Sequence, residues 1–113
     1  MVNLQVYRGE DQTITFTITE PDGSTAILLD SRGATVYFVV SNTLPQTTAT
    51  GGKLINKNST DGNNSGVVSF TLDNSDTDLE PKLYYYEVYV VFEDGDIYSA
   101  EVGRFWVRRR GVQ

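Results

Sequence analysis

With 113 residues, the chain fits one domain and is long enough to bury a hydrophobic core. It has no cysteine and no histidine, which removes disulfides, thiol chemistry, thiolate metal sites, the commonest general base and the commonest neutral metal ligand. The net charge of −6 argues against nucleic acid as a partner, and the longest apolar run, ATVYFVV, is too short to cross a bilayer.

Period-two alternation dominates from the first residues onward. Residues 2–8, VNLQVYR, read as a short strand, with no basic-then-apolar leader pattern in MVNLQVYRGEDQ. After the RGEDQ turn, TITFTITE (13–20) puts Ile14, Phe16 and Ile18 on one side and four threonines on the other, a half-buried strand. AILLD (26–30) reads as an irregular edge segment folding its leucines under the core. ATVYFVVS (34–41) is the next strand, followed by a long, polar, Thr-rich loop, SNTLPQTTATGG (41–52), predicted to be flexible. GKLINKN (52–58) and GVVSFTL (66–72) add two more strands. Gly-, Asn-, Asp- and Pro-rich turns separate these runs at regular intervals, and no window carries a helical period. About seven short strands at this spacing describe an all-β sandwich, one domain over 1–113. Arg104, Arg108, Arg109 and Arg110 are four of the nine basic residues. All four fall in the last ten positions, and 108–113 reads as a basic tail, either a solvated terminus or an arm for an acidic surface.

The segment LYYYEVYVVFEDGDIYSAEV (83–102) holds five of the seven tyrosines. A buried, unpaired carboxylate is costly, so Glu87 should face water. Tyr85, Tyr89 and Val91 then share its outer face, and Tyr84, Tyr86, Val88, Val90 and Phe92 point inward. A three-residue loop, Glu93-Asp94-Gly95, with Gly95 left-handed, keeps Glu101 outside and brings Tyr98, Ala100 and Val102 inside. A bulge at Gly103 then returns Phe105 and Val107 to the core and puts Trp106 outside, beside Arg104 and Arg108. Tyr85, Tyr89, Val91, Trp106, Arg104 and Arg108 therefore form a candidate interface. Protein contact, cross-strand stabilisation and stacking on sugar rings are the three roles open to it.

Reactive chemistry is not visible. DNSDTDLEP (73–81) concentrates carboxylates but lacks the glycine and distant glutamate of an EF-hand. A single helical turn capped by Ser75 or Asp76, with Leu79 tucked inward, accounts for it. Asp94 and Asp96 sit on an exposed hairpin tip, and GGKLINKNS lacks phosphate-loop spacing. No catalytic, cofactor-binding or metal-ligating residue is assigned, and no cofactor is expected.

With the strands placed, the chain resembles immunoglobulin-like β-sandwich modules of tailed-phage virion proteins, such as the N-terminal module of baseplate upper proteins. The likeness runs from YRGEDQTITFTITEPDGS (7–24) through LLDSRGATVYFVV (28–40) to GVVSFTLDNSDTDLEPKLYYYEVYVVFEDGDIYSAEVGRFWV (66–107). It implies an antiparallel immunoglobulin-like sandwich. It also implies a non-enzymatic structural component of the virion, in the tail, baseplate, neck or capsid decoration, assembled in the host bacterial cytoplasm. The implied partners are other virion proteins or copies of the chain itself, in homo-oligomers, without nucleic acid or membrane. Binding to a surface glycan or host receptor through the outward aromatics is the alternative.

Overall fold

A computed structural model of the chain describes residues 2–20, 23–42 and 53–109. It contains seven strands and, among the described residues, no helix: β1 Val2–Tyr7, β2 Gln12–Thr17, β3 Thr35–Ser41, β4 Lys53–Ser59, β5 Val67–Leu72, β6 Lys82–Val91 and β7 Ile97–Arg108. They form a five-stranded sheet in the order β1-β7-β6-β3-β4 and a two-stranded sheet, β2-β5. Most of the predicted flexible loop (residues 43–52) and residues 110–113 of the predicted tail lie outside the described residues. Arg108 is no tail residue, since β7 runs through it.

The expectation of a wholly antiparallel sandwich fails at one edge. β1 pairs parallel with β7, from Val2 opposite Gly103 to Tyr7 opposite Arg108. Consecutive strands within one sheet are driven antiparallel by tight hairpins, but β1 and β2 belong to different sheets. The turn after Tyr7 carries the chain across the sandwich, leaving β1 no hairpin partner to set its direction.

Aromatic rings from both sheets meet in the middle. Phe38 of β3 lies 5.7 Å from Phe70 of β5, 5.6 Å from Phe16 of β2 and 6.0 Å from Phe105 of β7. Val36, Phe38, Val40, Tyr86, Val88, Val90 and Phe105 are fully buried, so the face of the large sheet toward β2-β5 is the core. Each such side chain contributes about 1.5–3 kcal/mol by leaving water. The 26–30 segment obeys strand alternation: Ile27 and Leu29 are buried while Leu28 is exposed, so one leucine is inside instead of both. Gly66 locks this region. Its φ is +78°, its carbonyl accepts from the Ile18 amide at 2.8 Å, and a Cβ there would sit 2.2 Å from the Ile18 oxygen.

The β6–β7 hairpin closes with the predicted three-residue loop. Gly95 has φ +94°, and the Phe92 amide donates to the Asp96 carbonyl at 2.9 Å. The bulge, however, is at Ala100 and not at Gly103. Tyr89 faces Ser99 and Val88 faces Glu101, leaving Ala100 as the extra residue; Gly103 sits in a regular ladder opposite Tyr86. Parity therefore changes three residues earlier than predicted. Glu101 turns inward and Val102 turns out, opposite Glu87. The inward carboxylate is tolerated because it sits only half-buried and accepts a hydrogen bond from the Tyr86 hydroxyl.

The acidic loop after β5 caps itself. Asp73 Oδ1 accepts from the amides of Ser75 and Asp76 at 3.0 Å each, while Asp76 Oδ2 accepts from the Asp73 amide at 3.0 Å. Asp73 is thus the capping residue, in place of Ser75 or Asp76, and the reciprocal pair is a capping box built from two aspartates. Leu79 packs against the core as predicted.

Candidate interaction face

Strand alternation divides the five-stranded sheet cleanly. The side chains not aimed at β2-β5 make a second, outer face. β6 contributes Leu83, Tyr85, Glu87, Tyr89 and Val91, and β7 contributes Ile97, Ser99, Val102, Arg104, Trp106 and Arg108, set row by row through their register. All six residues of the predicted interface lie on this face. Their exposure differs: Arg104 and Arg108 are exposed, Tyr85, Val91 and Trp106 are half-buried, and Tyr89 is 8% exposed.

Tyr89 is buried because its ring stacks on Tyr37 of β3, the cross-strand residue opposite it, with centroids 4.8 Å apart and planes 10° apart. Burial, then the neighbouring Tyr37 and Glu87, hold the Tyr89 phenol above its usual titration range. Trp106 has the Arg108 guanidinium 4.7 Å from its ring centroid, and that guanidinium also donates to Gln5 Oε1 of β1 at 3.1 Å. Tyr89 and Trp106 are therefore already partnered within the sheet, a stacked pair toward one end of the face and a cation-capped indole at the other.

Glu87 lies between them. It is on the outer face, as expected, but 2% exposed and not in water. It sits between Val39 and Val102 in the ladder, and its Oε2 accepts from the Ser99 hydroxyl at 2.7 Å. With Glu87 withdrawn, the exposed charged side chains on this face among the described residues are Arg104 and Arg108. A chain of net charge −6 thus carries a basic patch on one broad, aromatic surface.

Tyr37, Val39, Leu83, Ile97, Ser99 and Val102 belong to the face but were absent from the predicted set. Alternation along TVYFVVS was signal enough to put Tyr37 and Val39 outside. Pairing them with β6 needed the order of strands in the sheet, which alternation does not carry. Val102 was placed inside because the bulge was assigned to Gly103.

Two hollows lined by described residues lie elsewhere. One, of about 130 Å³, opens between β2 and the Ala100 bulge and is lined by Ile18, Val88, Ala100 and Glu101 among others. Its single carboxylate is already engaged by Tyr86. The other, of about 320 Å³, is an open depression around Arg32, Phe92 and Glu93, where the Arg32 guanidinium sits 3.6 Å from the Phe92 ring centroid. Neither presents a paired acid and base or a nucleophile with its base. Among the described residues no group of three or more acidic side chains is placed to hold a metal ion.

No family model matches the chain, and no curated protein matches it. Among solved structures, it is similar to the soluble domain of PmoD from Methylocystis sp., with 14% identity over 91% of this chain and 76% of that one at a TM-score of 0.49. It is also similar to murine CRIg, with 15% identity over 96% and 92% of the two chains at a TM-score of 0.42.

Proposed function

We propose that the chain is an immunoglobulin-like module that acts as a non-catalytic assembly component of a tailed-phage virion, docking on a neighbouring virion protein through the outer face of its five-stranded sheet. The virion assignment rests on the sequence resemblance. Two structural features support the immunoglobulin-like reading. The strands β7-β6-β3-β4 over β2-β5 follow the order G-F-C-C′ over B-E. The Tyr84 hydroxyl donates to the Glu80 carbonyl at 2.7 Å, four residues upstream at the start of β6, which is the tyrosine corner of such folds.

The observation that carries the functional reading is the outer face itself: a broad, half-buried aromatic surface whose exposed charges are two arginines. Aromatic residues and arginine are the side chains enriched where proteins meet. Sugar stacking fits less well, because a stacking platform needs rings open to solvent, and Tyr89 is buried. One face of Tyr89 is taken by Tyr37, and one face of Trp106 by Arg108.

Trp106→Ala and Arg104→Glu test the proposal. Both positions are on the face and neither is in the core, so each variant is expected to fold and to be lost from assembled particles. Normal incorporation of both variants would reject the surface. A glycan panel read by Trp106 fluorescence is expected to give no response, and saturable binding would favour the sugar reading instead.

A further inference from the structure

Read along β6, the outward residues are Leu83, Tyr85, Glu87, Tyr89 and Val91. The order is chemically the same in both directions: aliphatic, tyrosine, glutamate, tyrosine, aliphatic. β7 beside it has complementary ends. At its start Ile97, 56% exposed, follows the exposed acids Asp94 and Asp96 of the hairpin. At its finish Trp106 stands between Arg104 and Arg108. The Glu87–Val102 row lies midway, with Ile97 and Val91 two outward rows to one side and Trp106 and Leu83 two to the other.

We infer that the occupant of this face is a second copy of the chain, related by a twofold axis passing over the Glu87–Val102 row. The inference rests on the docking role proposed above and names the partner. Turning one sheet by half a turn onto another about that axis places Ile97 and the acidic tip of each copy against Trp106 and Arg108 of its mate, twice over. Tyr85 falls against Tyr89, and Leu83 against Val91. A twofold contact must be self-complementary in this way. The axis also brings the two Glu87 carboxylates toward each other; each is turned under the surface and accepts a hydrogen bond from Ser99, so the charged ends and the apolar rows, and not the centre, supply the attraction. With strands spaced about 4.8 Å and residues rising about 3.3 Å, the outer face of the whole five-stranded sheet covers roughly 700 Å², about half of it on β6 and β7, so a contact that uses the whole face comes near the about 800 Å² per partner of a standard interface.

The test is charge reversal with rescue, by sedimentation of the full chain at low salt. Wild type is expected at twice the 12.6 kDa chain mass. Arg104→Glu with Arg108→Glu, and separately Asp94→Lys with Asp96→Lys, are each expected to weaken the dimer roughly a hundredfold or more and to sediment as single chains. Mixed in equal amounts, the two reversed variants face each other with opposite charges at both ends, so the dimer is expected to return. The return also shows that both variants are folded. Three results overturn the inference: a monomeric wild type, a mixture that stays monomeric, or assemblies that grow past two copies. If the wild type is monomeric while Arg104→Glu still blocks particle incorporation, the face docks a different virion protein; the dimer falls and the docking role stands.

Discussion

Tyr86 and Glu101 show how a polar pair is housed beside an apolar core. The ring of Tyr86 is fully buried against Phe16 and Phe38, while its hydroxyl reaches out of the aromatic cluster to the Glu101 carboxylate. Burial first, and then the hydrogen bond and charge of Glu101, push the phenol far above the usual tyrosine range. The phenols of Tyr84 and Tyr89 are also raised, by burial above all. A raised folded-state pKa means that the fold holds the proton more tightly than the unfolded chain does. The stability this contributes is complete below the unfolded tyrosine value of about 10 and is lost as pH rises beyond it. Denaturation midpoints are therefore expected to hold near neutrality and to fall steeply in strong alkali. Tyr86→Phe is expected to cost about 1–2 kcal/mol at neutral pH, the worth of a hydrogen bond to a charged acceptor that is itself half-exposed. It should also flatten the alkaline fall. Equal alkaline slopes for the variant and the wild type, measured by urea titration, would contradict this account. Glu87 shows what residue-level reasoning misses. The penalty for a buried carboxylate put it on the outer face, correctly, but could not reveal Ser99 as a hydrogen-bond donor there, because that contact depends on the β6–β7 register.

Among the elements, β7 carries the greatest consequence, because its single bulge decides which of its residues are core. Ala100 takes up the extra residue, and from Glu101 onward the ladder is regular. Two deletions separate this from a bulge at Gly103. Removing Ala100 straightens the strand yet keeps Val88 opposite Glu101, Tyr86 opposite Gly103 and Tyr84 opposite Phe105. The variant is expected to fold, weakened by about 1–2 kcal/mol through lost packing. Removing Gly103 slides Arg104 into the inward site opposite Tyr86, turns Phe105 out and Trp106 in; a charge then enters the core. That variant is expected to lose its cooperative thermal transition in circular dichroism. The reverse ranking would return the bulge to Gly103. Most strands were legible in the sequence because alternation of apolar and polar residues depends only on the strand itself. The turns were legible too, since Gly95 and the acids around Asp73 act through local geometry, although the cap itself falls on Asp73 and not on Ser75 or Asp76. The bulge was not, because Gly103 carried the familiar sequence signal while Ala100 carried none. Its position is set by how β7 fits β6, a pairing that the strand's own sequence does not carry.

Across the whole molecule, the first strand closes against the last. β1 lies beside β7, where Val6, fully buried, pairs with Val107 and the half-buried Leu4 pairs with Phe105. The Arg8 amide then donates to the Arg108 carbonyl at 3.0 Å as the chain leaves the sheet. None of this was legible as topology, because a parallel pairing between strands nearly a full chain apart leaves no local pattern. It does have a measurable consequence. Burial of Val6 and part of Leu4, with the ladder bonds of six residues, is worth about 3–5 kcal/mol against a total stability of about 5–15 kcal/mol for a domain of this kind. Its loss would also bare the edge of β7, a row of backbone donors and acceptors ready to pair with another chain. A variant lacking residues 1–7 is therefore expected to unfold at a markedly lower urea concentration and to aggregate above it. Val6→Ala, which keeps the strand and its hydrogen bonds, is expected to lose about 1–2 kcal/mol and remain soluble. If truncation left the midpoint and solubility unchanged, β1 would be an appendage; if Val6→Ala alone matched the truncation, packing and not edge protection would be what the strand supplies.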